Sequence, residues 1–106
     1  MTMIEATSLE DIASTIEKGK NVLFFTADWC PDCQFIKPLM PEIVQDFPEF
    51  QFIEVDRDKF MDLAEKLMIM GIPSFVVIED GKEIGRLVSK ARKTKEEVEQ
   101  FLSQYK

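Results

Sequence analysis

The chain has 106 residues, 45% of them hydrophobic, and a formal net charge of −7. That length suits one domain, residues 1–106, and the acidic balance sets the chain against phosphate backbones, so no nucleic-acid partner is expected. With no His and only two Cys, Ser-His and Cys-His catalysis, His metal ligands and a disulfide-stapled scaffold are excluded.

Residues Met1 to Glu5 carry no basic n-region, and no apolar run approaches the roughly 18 residues of a membrane span. A cytoplasmic location without a membrane partner is therefore expected, where thiols are mostly kept reduced. Leu9, Ile12, Ala13 and Ile16 share one helical face, with Ser8 as N-cap and Gly19 as stop. Asn21 to Thr26 is apolar on both faces and reads as a buried central strand. Pro31 suits the first turn of the next helix, whose stripe runs through Ile36, Leu39, Met40, Ile43, Val44 and Phe47. Pro38 and Pro41 predict a kink in it, and Pro48 its end.

Gln51 to Asp56 reads as a strand, and Phe60, Leu63, Ala64, Leu67 and Met68 as a third helix. Gly71-Ile72-Pro73 breaks the pattern. Ser74 to Ile78 and Glu83 to Val88 are strands joined by the turn Glu79-Asp80-Gly81-Lys82, a hairpin. Thr94 and Glu97 form a capping box, followed by the stripe Val98, Phe101, Leu102 and Tyr105. With a short strand near Met3 to Ala6, the order predicts an α/β fold: a mixed sheet with helices on both faces. Met40, Met61, Met68 and Met70 read as core filler.

The chemistry lies in Trp29-Cys30-Pro31-Asp32-Cys33. Two intervening residues on a first helical turn bring the sulfurs close enough to bridge. Cys30, at the helix N-terminus, meets unpaired N–H groups that favour a thiolate, the attacking form in disulfide exchange. Cys33, one turn further in, is more buried and acts second. Two other readings stand beside this one: inert core cysteines, and half of a zinc site shared between two chains, since zinc wants four ligands and this chain has no third Cys. The spacing after a strand in an α/β pattern favours redox chemistry.

The stretch Phe24 to Pro38, with Trp29-Cys30-Pro31-Asp32-Cys33 inside it, resembles the thioredoxin superfamily. Gly71-Ile72-Pro73-Ser74-Phe75 resembles that family's cis-proline loop, and the Asp80-Gly81-Lys82 turn and capped last helix fit as well. The resemblance implies a thioredoxin-like three-layer α/β/α sandwich with a C-terminal β-hairpin plus helix. It implies a thiol-disulfide oxidoreductase reducing protein or small-molecule disulfides, with Cys30 as nucleophile and Cys33 as resolver. No cofactor or metal is implied beyond the redox-active Cys30-Cys33 disulfide. A thioredoxin-reductase-type flavoenzyme is the implied electron donor, in cell redox homeostasis and electron transport. Pro73 is expected to be cis, Ile72 to present backbone groups to an extended substrate, and Trp29 to wall the attacking sulfur. Pro31 and Asp32 complete the expected substrate-contacting set. The alternative is a redox sensor whose disulfide toggles partner binding without turnover.

The chain departs from the family in three places. Pro31-Asp32 replaces Gly-Pro, so a carboxylate enters the turn, and its charge opposes a nearby thiolate. Phe24 stands where the family has a buried Asp, and Phe52 is read as replacing the Lys that partners it; water, Asp32 and Asp28 remain as proton acceptors for Cys33. Val88 to Lys93 stands where a Gly normally opens the substrate groove. Lys90, Arg92, Lys93 and Lys95 make this segment basic: a solvated loop, or one that borders the redox turn and steers acidic partners to it.

Overall fold

The computed structural model describes residues 3–106. Its elements are β1 (Ile4–Glu5), α1 (Leu9–Ile16), β2 (Lys20–Thr26), α2 (Pro31–Ile36), a 3-10 turn (Lys37–Leu39), α3 (Met40–Asp46), β3 (Gln51–Asp56), α4 (Met61–Lys66), β4 (Ser74–Glu79), β5 (Lys82–Leu87) and α5 (Lys95–Ser103). The local signals act where expected. Ser8 Oγ accepts from Asp11 N, and the Thr94–Glu97 capping box forms in both directions. Pro38 and Pro41 split one helical stripe into α2, the 3-10 turn and α3, because each proline removes a donor and crowds the preceding turn.

The strands form one sheet in the order β1-β3-β2-β4-β5. β1 and β2 run parallel to β3, whereas β4 is antiparallel to both β2 and β5. The antiparallel half thus begins at the centre of the sheet. Asp80 and Gly81, both with positive φ, close the β4–β5 turn, the geometry that matches the twist of paired strands.

Alternation along β2 divides the core. Val22 and Phe24 point to the layer built by α2, α3 and α5, with Phe52, Phe75, Val98 and Leu102. Leu23 and Phe25 point to the layer of α1 and α4, with Ile12, Ile53, Val55 and Ala64. The sequence expectation of a buried central strand holds, since Asn21 to Thr26 are all buried.

Two expectations are corrected. Of the four methionines read as core filler, Met40 is buried, while Met61, Met68 and Met70 are 45%, 68% and 72% exposed. The third helix ends at Lys66 and Met68 takes φ 58, so the apolar period no longer points it inward. Phe24 and Phe52 are also not lateral partners. In the sheet Phe52 lies beside Val22, and Phe24 lies beside Glu54.

Candidate functional site

β2 delivers the chain to Ala27, and α2 begins at Pro31 with Cys30 as its N-cap. In that position Cys30 Sγ accepts the Cys33 backbone N–H at 3.2 Å. The Cys30 thiol donates to the Ile72 carbonyl at 3.8 Å. Ile72 is joined to Pro73 by a cis peptide bond, so the expected cis-proline loop does face the motif. Both cysteines are free thiols, 5% and 0% exposed, and they pack with Ala27 and Ile72.

The two sulfurs differ in surroundings. Burial pushes the Cys33 thiol up to about 11, and its hydrogen bond with Cys30 pushes the same way; contacts with Thr26 and Ala27 offset this in part. Cys33 is therefore protonated at neutral pH. Trp29 is 60% exposed beside the motif. Its Nε1 donates to Asp58 at 2.6 Å, and the Arg57 guanidinium lies 5.3 Å from the ring centroid. Pro31 is exposed and Pro73 buried. The structure thus brings Trp29, Cys30, Pro31, Asp32, Cys33, Ile72 and Pro73 into one neighbourhood.

The basic loop does border the redox turn. Arg92 Nε donates to Asp32 Oδ1 at 2.9 Å, and its guanidinium lies 4.6 Å over the Phe35 ring. The carboxylate that enters the turn is therefore met by a cation. Lys95 pairs with Glu42 and Asp46, and Lys93 is 1% exposed. Among the described residues, only Lys90 of the four basic residues is exposed without an ion pair.

On the sheet side, Glu54 pairs with Lys37 at 2.9 Å. They line a pocket of about 160 Å³ with Thr26, Asp28, Asp56 and Lys59. A larger cavity of about 500 Å³, lined in part by Lys18, Asn21, Pro48 and Gln51, lies where β2 and β3 begin, at the far end of the strands from the motif. Neither cavity is lined by Cys30 or Cys33. Among the described residues no group of three or more His, Cys, Asp and Glu is placed to hold a metal ion. No helix among them is long and apolar enough to cross a membrane.

Sequence reading missed Lys93 and the Lys37–Glu54 pair. A lysine run carries no local mark of which member turns inward. The strand register, once drawn, would have set Glu54 beside Phe24.

A family model described as thioredoxin matches residues 3–104. An H-type thioredoxin of Fagopyrum esculentum is 42% identical over 78 residues, 73% of this chain and 66% of that protein. H-type thioredoxin 1 of Nicotiana tabacum is 37% identical over 81 residues, 76% of this chain and 62% of that one. The chain thus spans slightly less than two thirds of the length of these plant relatives. The solved structure of Plasmodium falciparum thioredoxin gives a TM-score of 0.87 at 26% identity, covering 98% of this chain and 100% of that one.

Proposed function

The chain belongs to the thioredoxin family, and from that premise we propose that it is a thiol-disulfide oxidoreductase that reduces protein or small-molecule disulfides. One observation carries the reading. Cys30 Sγ sits between the Cys33 N–H and the Ile72 carbonyl, at the junction of the redox turn and the cis-proline loop.

Cys30 thiolate attacks one sulfur of the substrate disulfide. That S–S bond breaks, the first substrate thiolate leaves and takes up a proton, and a mixed disulfide with Cys30 remains. Cys33, held protonated until then by burial, loses its proton and attacks Cys30 Sγ. The second substrate thiol leaves, and the protein keeps a Cys30–Cys33 disulfide. The substrate has gained two electrons and the protein has lost two. A thioredoxin-reductase-type flavoenzyme returns them, and the cycle suits a reducing compartment such as the cytoplasm.

Trp29 and Pro31 offer flat apolar contact beside the nucleophile. Asp32 shapes the turn through Arg92. Ile72 and Pro73 offer the backbone edge on which an extended substrate lies as an added strand.

Reduction of a protein disulfide tests the reading with three proteins. Wild type is expected to turn over, Cys30→Ser to be inactive, and Cys33→Ser to accumulate the mixed disulfide. Reversible oxidation of wild type without turnover would instead identify a redox sensor.

A further inference from the structure

Among the described residues, the most deeply buried charged side chain is Lys93. It belongs to a run of basic residues that ends at the Thr94 cap of α5, yet it is 1% exposed. Its Nζ donates to the Ser89 carbonyl at 2.9 Å and to the Ala91 carbonyl at 2.8 Å. A buried ammonium needs such partners, because water no longer solvates it. Among the described residues no carboxylate lies within ion-pair distance of it, whereas Lys37 pairs with Glu54 and Lys95 with Glu42 and Asp46.

The loop that Lys93 ties together is fixed to the redox site on both sides. On one side, Arg92 holds Asp32 inside the motif. On the other, the Ser89 carbonyl packs so closely on Gly71 that a Cβ there would come within 2.4 Å of it. Gly71 is next to Ile72, whose carbonyl accepts the Cys30 thiol. The loop whose carbonyls hold the ammonium therefore touches both the cis-proline loop and the redox turn.

We propose that Lys93 is the buried counter-charge of the dithiol: it pins residues 89–91 beside the motif and supplies the positive charge that favours the thiolate form. This rests on the reading that Cys30 and Cys33 perform the exchange. The acidic groups whose charge acts on the ammonium are Asp32, Cys33 and Cys30 around the redox turn and Glu97 from α5. Arg92 is the neighbouring cation, and it is engaged with Asp32. Burial pulls the ammonium down, and these acidic groups push it back up in part. Of the four, the thiols are the ones that gain or lose a charge with redox state. Thiolate formation completes a charge pair with Lys93, and disulfide formation dissolves it. Coupling of this kind is reciprocal, so each partner favours the charged form of the other.

Lys93→Met keeps the unbranched apolar stem, one atom shorter, and removes the charge. The readout is the pH profile of iodoacetamide alkylation of the reduced protein. The midpoint is expected to rise, with alkylation below it slowed about three- to tenfold, as a shift of half to one unit requires. A purely structural lysine would lower stability and leave the profile in place, so an unchanged profile in folded Lys93→Met overturns the proposal. Wild type gives a second test that needs no variant. The Lys93 side-chain NMR resonance is followed against pH in the dithiol and disulfide forms. A higher midpoint in the dithiol form is expected; coincident midpoints overturn the proposal. Absence of disulfide reduction by wild type would defeat the oxidoreductase reading itself, whereas turnover with an unchanged profile defeats only the part assigned to Lys93.

Discussion

On the sheet side of the dithiol, Phe24 and Phe75 stack at 5.0 Å with an interplanar angle of 18°, and the nearest ion pair, Lys37–Glu54, sits half-open at a pocket. On the loop side, the charges are closer in. Asp32 is met by Arg92, and Lys93 is wholly buried on two carbonyls. The sheet side excludes charge and leaves its ions to water. The loop side takes charge in because its irregular backbone has carbonyls free to solvate an ammonium, whereas strand carbonyls are already committed to neighbouring strands. The contrast sets stacked aromatics on one flank of the thiol pair and fixed charges on the other.

The sheet side is the place to break this contrast most strongly. Phe24→Ala removes a fully buried ring from the layer under α2. Urea unfolding is expected to show a loss of about 3–5 kcal/mol, with the loop-side contacts kept.

Insulation of Cys33 predicts a pH effect of intermediate size. Its thiol is raised from 9.0 to about 11 in the folded protein, so the folded state holds that proton more tightly than the unfolded chain does. The stability this contributes is fully present below pH 9 and is lost as pH rises from there through about 11. Reduced wild type should lose roughly 2–3 kcal/mol over that window relative to Cys33→Ala, read from urea midpoints at pH 8 and pH 11.

Gly71→Ala tests the loop side by overpacking. Its Cβ would meet Ser89 backbone atoms at 2.4 and 2.6 Å, and backbone cannot swing aside as a side-chain tip can. A cost of about 1–3 kcal/mol in thermal or urea unfolding is expected, with slower disulfide reduction as the two loops part.

Arg92→Gln is expected to have the smallest effect. Its pair with Asp32 is 52% and 31% exposed, and such pairs contribute at most about 1 kcal/mol. Urea midpoints should scarcely move, which would set the surface cation apart from the buried Lys93.

Much of the site was legible in sequence because its signals are local. Cys30 and Cys33 are three residues apart on one helical turn, Pro73 follows its loop directly, and Thr94 caps its own helix. Met68 and Met70 were misread because a stripe at helical spacing shows no sign that the helix stops at Lys66. Phe52 was misread as the partner position because register between strands about 30 residues apart depends on how the whole sheet pairs.

The sequence by itself determined the elements, their order, the family and the two thiols, since periodicity, caps, turns and motif spacing act over a few residues. Only the tertiary structure decided which charges matter. Arg92 reaches Asp32 across 60 residues of chain, and Lys93 alone of its run turns inward, because the β5–α5 loop lands between Gly71 and the redox turn. Burial and charge pairing depend on what long-range packing brings together, and a run of like residues carries no record of that.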